Sequence, residues 1–221
     1  MDQLDGQLYG FIDRISKSFR QHNRYHTFRH AAHMVAWANY LFTKMQENAG
    51  GSGAWLRFGL AIAALVQDNK YCGVSDNQLE VEKHLIHELY IGGNAQSAYS
   101  INYALDVLAK DFRELFDEIV WGFPRLLYLM RTISLSASPL YDFRNATLIT
   151  DGETSTRARV QRTEAAMGIM LTMARLGHFA LDQEDFLRWN NLALAEKRLG
   201  FLAKRGADPM PHWNKRCAEF I

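Results

Sequence analysis

The sequence predicts an all-α fold, and three observations carry the prediction. Apolar residues recur at three- and four-residue spacing along most of the chain. Valine and isoleucine are scattered at that spacing and never alternate with polar residues over a strand's length. The interruptions are N-capping residues and glycine-containing loops, and no repeat of fixed period appears.

In order, Gln7 to Gln21 reads as a helix with Leu8, Phe11, Ile12, Ile15 and Phe19 on one face. Thr27 is placed to cap a second helix running from Phe28 to about Glu47. Asn48 to Gly53 is a glycine-rich connection. Ala54 to Gln67 is apolar nearly all round, as a helix buried on most sides must be. Ser75 or Asp76 opens a further helix that buries Leu79, Val81, Leu85, Ile86 and Leu89 and stops at Gly92-Gly93-Asn94. Ala95 to Leu108 and Phe112 to Trp121 follow, and Pro124 ends the second. Arg125 to Leu135 reads as another helix, and Ser136 to Glu153 is the least regular part. Thr154 or Ser155 starts a long helix reaching about Leu176, and Asp182 or Glu184 starts the last, which ends near Gly206. Ala207 to Trp213 reads as a loop before a short apolar end.

The 221 residues suffice for one helical domain over 1–221 with a sizeable core. A net charge of +1 gives no field that draws nucleic acid or a membrane surface. The longest apolar run, Leu60 to Val66, is far short of a membrane span. Cys72 and Cys217 make no disulfide framework, and the acidic start has no targeting character. The expectation is a reducing intracellular compartment, cytoplasmic or other.

Two polar interruptions carry the candidate chemistry. In Arg24-Tyr25-His26-Thr27-Phe28-Arg29-His30-Ala31-Ala32-His33, His26 precedes a helix whose first two turns hold His30 and His33. Imidazoles so placed bind a divalent metal or donate a proton. The second interruption ends the most apolar helix with Gln67-Asp68-Asn69-Lys70. A carboxylate at the end of a core helix needs a partner, which Lys70, His30 or a metal would supply.

These stretches resemble the first two motifs of the class I cyclic-nucleotide phosphodiesterases, within the HD superfamily of metal phosphohydrolases. Tyr25-His26-Thr27-Phe28-Arg29-His30-Ala31 is similar to the family's Tyr-His-Asn-x-x-His-Ala. Ala63 to Ser75 is similar to a buried helix ending in His-Asp-x-Asp-His-Pro-Gly-Val. Leu89-Tyr90, Ala174-Arg175-Leu176, Trp189, Glu196 to Gly200 and Asp208-Pro209-Met210 follow in family order, as does the closing Phe220-Ile221. A branch of short HD phosphohydrolases with Tyr-His-Thr and Ser-Asp-Asn motifs competes, through Tyr25-His26-Thr27 and Ser75-Asp76-Asn77. Both branches imply the same helical core around the same site.

The resemblance implies a metal held by two histidines and two aspartates. His30 and Asp68 match one of each, but Gln67 replaces the second histidine and Arg175 the late aspartate. The next Asp-His pair falls on Lys70 and Tyr71, and the purine-gripping glutamine falls near Cys217. Neutral glutamine is a poor zinc ligand, and a fixed guanidinium repels a cation. His26 matches the family's proton donor, a vestigial general acid if no metal-activated hydroxide stands beside it.

The resulting expectation is a catalytically inactive phosphodiesterase-like protein, a structural or regulatory subunit packing protein partners through the helices around Trp121, Trp189 and Trp213. No cofactor is expected. One alternative is a module that binds a nucleotide or other phosphate without cutting it, in a pocket of His26, His30, Gln67, Asp68, Lys70 and Arg175. Another is a phosphohydrolase using Zn²⁺, Mn²⁺ or Mg²⁺ on His30 and Asp68, completed by Asp151, His33 or His178. Four further features have ordinary structural readings: His84 with His87, the Asp151-Gly152-Glu153 turn, the Arg157, Arg159 and Arg162 cluster, and the aromatics Tyr141, Phe143, Trp213 and Phe220.

Overall fold

The computed structural model describes residues 3–49, 53–90, 94–122, 127 and 156–219. Among them every regular element is helical, as the periodicity predicts. The helices are α1 (Gln3–Ser16), α2 (Phe28–Ala49), α3 (Ala54–Val66), α4 (Asp76–Val81), α5 (Leu85–Leu89), α6 (Ala95–Asp111), α7 (Arg113–Gly122), α8 (Thr156–Arg175), α9 (Gln183–Leu202) and α10 (Met210–Glu219), with a 3-10 turn at Gly177–Ala180. No helix among the described residues is long and apolar enough to cross a membrane. The expected helix at 125–135 and the irregular 136–153 stretch lie outside the described residues.

Helix α3 is the axis of the packing, and its lack of a polar face is the reason. Ile62, Leu65 and Val66 join α1, α6 and α7 in one cluster with Phe11, Ile15, Ile101, Leu108 and Ile119. Leu60, Ala63 and Ala64 join α2 and α8 in a second, with Met34, Phe42, Met167 and Leu171. A third, smaller cluster of Cys72, Val74, Leu79, Ile86 and Ala95 sits beneath α4 and α5. Small residues at Ala63 and Ala64 let α2 and α8 approach α3 closely.

Several ends differ from expectation for local reasons. Helix α1 starts at Gln3 and stops at Ser16, not Gln21. The Ser16 and Ser18 hydroxyls donate to the Asp13 and Ile15 carbonyls, satisfying acceptors at the helix end. The single helix expected over 76–89 is two, because Lys83 adopts φ 49° and His84 caps α5, its ring accepting from Ile86 N–H. Val81, Leu85 and Leu89 are consequently exposed, and Leu79 and Ile86 alone are buried there. Helix α9 ends before Lys204 (φ 58°) and Gly206 (φ 123°). The supposed loop at 207–213 contains the start of α10, where Asp208 accepts from Met210 N–H and Pro211 occupies the first turn.

Candidate functional site

Both polar interruptions arrive at one place. Thr27 caps α2 by accepting from His30 N–H at 3.3 Å, which fixes His30 in the first turn with its ring buried. Helix α3 delivers Gln67 and Asp68 beside it, both buried, and the turn continues through a buried Asn69. Asn69 is held by donation to Val66 and Ser100 carbonyls at 2.6 and 2.9 Å, while the Ser100 hydroxyl donates to Asn69 O. That anchoring sets the direction in which Asp68 projects. At the far end of α8, Arg175 brings a guanidinium nitrogen to 4.0 Å from Asp68 Oδ1. His30 Nδ1 lies 3.9 Å from Asp68 Oδ2.

These separations are long for hydrogen bonds, so the groups interact through their fields. Burial raises the Asp68 carboxyl, but Arg175, then His26 and His30, pull it down further, and the net shift is downward. Burial dominates at His30 and lowers it to about 3, so the imidazole is neutral at pH 7. Both His30 ring nitrogens, both Gln67 amide atoms and Asp68 Oδ2 are buried without a hydrogen-bond partner. Such atoms call for water or a ligand.

Beside the cluster, lined by Tyr25, His26, Tyr71 and His178 but by none of His30, Gln67, Asp68 and Arg175, lies a cleft of about 820 Å³. His26 lines it and is held on three sides. Its Nδ1 is 2.5 Å from Glu196 Oε1, its ring stacks on Tyr71 at 3.7 Å, and its own N–H and that of Tyr25 donate to Glu196 Oε2 at 3.0 and 2.9 Å. Burial would raise the Glu196 carboxyl, yet the His26 ring and the two backbone donors bring it below its ordinary value. Tyr25 and Tyr71 have phenols pushed up by burial, so both remain protonated donors. Trp189 packs on His30 and His33, each ring centroid 5.4 Å away. Asn190, Lys197, Arg205 and Trp213 complete the outer wall. Arg205 there donates to both Glu82 oxygens, and Lys197 sits over the Trp213 ring.

Of the residues singled out in the sequence, His30, Gln67 and Asp68 form the buried cluster, the partly exposed Arg175 reaches it, and His26 stands in the cleft wall. Lys70 takes a different direction. Its backbone has φ 57°, and its ammonium lies 4.3 Å from the centre of the Tyr103 ring. His33 accepts from Trp37 Nε1–H at 3.2 Å. His84 serves as a helix cap, and Asp151 lies outside the described residues. Trp121 is 85% exposed, whereas Trp189 is buried and offers no surface to a partner. Sequence reasoning set Tyr71 against a family histidine and matched Trp189 and Glu196 to family stretches, but gave none of them a part in holding His26 or His30. Their signal was present in part: Trp189 and Glu196 are seven residues apart, two turns along one helix face, and are the residues α9 buries.

No family model matches the sequence, and no curated protein does either. Among solved structures, the fold is similar to the phosphodiesterase domain of the RhoPDE fusion protein from the choanoflagellate Salpingoeca rosetta. The TM-score is 0.75 with 16% identity, over 94% of this chain and 67% of that one. The protein therefore has a phosphodiesterase-like helical fold.

Proposed function

We propose that this chain is a non-hydrolysing protein of the phosphodiesterase-like class, acting as a structural or regulatory subunit. The observation that carries the reading is the Arg175 guanidinium 4.0 Å from Asp68, beside the buried His30 ring. A phosphodiesterase-like fold implies a divalent cation at such a place. The donors here do not fit one. Among the described residues no group of three His, Cys, Asp or Glu side chains is placed to hold a metal ion. Around His30 and Asp68 stand a neutral amide, Gln67, and a fixed cation, Arg175; the histidines that act on His30 are His26, which Glu196 already holds, and His178. A guanidinium that neutralises the carboxylate removes the charge a metal would use. His26, stacked and clamped by Glu196, is a proton donor with no activated nucleophile beside it.

The open cleft favours a second reading, in which a nucleotide or other phosphate binds without being cut. Lys197, Arg205 and His212 bring donors to its rim, and Tyr25, Tyr71 and Trp213 bring flat apolar surface. One pair of assays separates the readings. Cyclic and linear phosphodiesters with Mn²⁺ or Mg²⁺ should yield no product above a no-protein control. A metal-free thermal-shift screen with nucleotides should show no stabilisation for the subunit reading. The binding reading expects stabilisation that falls in His26→Ala or Lys197→Ala. Hydrolysis that disappears in Asp68→Ala would overturn both.

A further inference from the structure

Helix α9 is unusual in what it leaves outside. It is 20 residues long and buries only Trp189 and Glu196, which share one face. At about 100° per residue, the opposite face carries Leu187, Leu194 and Phe201, spaced seven apart. Leu187 is 48% exposed and Phe201 40% exposed. Beside this stripe runs a second series with the same spacing, Glu184, Asn191 and Arg198, all exposed. Among the described residues neither Glu184 nor Arg198 has an ion-pair partner.

The order of that second series is self-complementary. Glu184 and Arg198 lie equally far from Asn191, seven residues on either side, or roughly 10 Å along the axis. A second copy of α9 laid antiparallel about a two-fold axis at Asn191 sets Glu184 of each chain opposite Arg198 of the other. Leu187 then lies within one residue of Leu194 of the other copy, since the midpoint of that pair falls half a residue from Asn191. The two Asn191 amides meet on the axis, each able to donate to and accept from the other. A parallel arrangement would instead set Glu184 against Glu184 and Arg198 against Arg198.

We propose that this outer face of α9 is a homodimer interface, an isologous antiparallel helix pair centred on Asn191. The two charge pairs select the antiparallel orientation and, with the Asn191 pair on the axis between them, fix the register. The proposal is independent of what the cleft binds. Asn190 and Lys197 face the cleft from the adjoining side of α9, so pairing through Leu187 and Leu194 leaves it open.

The test is sedimentation equilibrium on the whole chain, with helix content checked by circular dichroism. The wild type should show a concentration-dependent monomer–dimer equilibrium. Glu184→Lys alone and Arg198→Glu alone should each weaken it about tenfold or more, since each places two like-charge pairs across the axis. An equimolar mixture of those two variants should recover dimer. A chain carrying Glu184→Lys and one carrying Arg198→Glu set opposite charges against each other at both ends of the seam. Leu187→Asp should give monomer with unchanged helix content. A wild type that stays monomeric up to about 0.1 mM would overturn the proposal. So would a dimer indifferent to the single reversals, or a mixture that fails to recover it.

Discussion

Removing the charge on Arg175 while keeping its stem, as in Arg175→Met, isolates what the guanidinium does for Asp68. The two charges are 4.0 Å apart, with the Asp68 side chain 6% exposed and that of Arg175 30% exposed. At that separation their attraction runs from about 1 kcal/mol in water to about 4 kcal/mol at the effective dielectric near a protein surface. Partial exposure of Arg175 argues for the middle of that range, about 2 kcal/mol. For a chain of this size the loss is about 4–8 °C in Tm. The pH dependence gives a second readout. In the wild type the Asp68 carboxyl is held below its ordinary 3.8, so its contribution is present above that pH and is lost as pH falls below it. Without Arg175 the burial penalty loses its main opponent and the carboxyl climbs. The variant is then least stable relative to wild type near neutrality, and the deficit shrinks as acid protonates Asp68. Urea unfolding at pH 7 and pH 5 measures both effects, and adding Asp68→Asn to Arg175→Met should restore part of the loss. A Tm within about 1 °C of wild type, with no change in the difference between the two pH values, would refute the reasoning.

Three other outcomes follow from the same geometry. His30 is lowered from 6.5 to about 3 by burial, so the unfolded chain takes up a proton between those values that the folded chain refuses. Stability should therefore fall with pH below 6.5, at about 1.4 kcal/mol per unit for this one group, and His30→Gln should flatten that slope in urea titrations. Glu196→Ala removes the acceptor for the His26 ring and for two backbone N–H groups, leaving part-buried donors unpaired; it should cost about 2 kcal/mol in urea unfolding, and Glu196→Gln less. Gly177→Ala would put a methyl 2.5 Å from Trp37 Cδ1, and should lower stability by about 1–3 kcal/mol by the same assay.

The helical class was legible because burial and period agree: α3 is apolar all round and lies between two clusters. Helix ends were less legible, since they turn on single residues. The expected helix over 76–89 breaks at Lys83, whose positive φ no propensity would suggest, and α10 starts two residues after a capping Asp208 within a stretch rich in proline. At the site, His30 and Asp68 could be placed together because both fall in the two stretches that resemble one family's motifs, and a carboxylate at the end of the apolar α3 needs a partner. The direction of Lys70 could not, because it depends on a left-handed backbone that swings the ammonium onto Tyr103. Glu196 stands in sequence only as part of a weak family-ordered stretch, and it is the docking of α9 that turns it inward beneath His26.

Whether Arg175 stands where a metal would need ligands is read directly from metal stoichiometry. The purified chain is incubated with Zn²⁺, Mn²⁺ and Mg²⁺ in turn, desalted and analysed for bound element. No metal should be retained beyond that of an Asp68→Ala control. About one ion per chain, lost in Asp68→Ala, would contradict it and return the site to the metal-dependent phosphohydrolases.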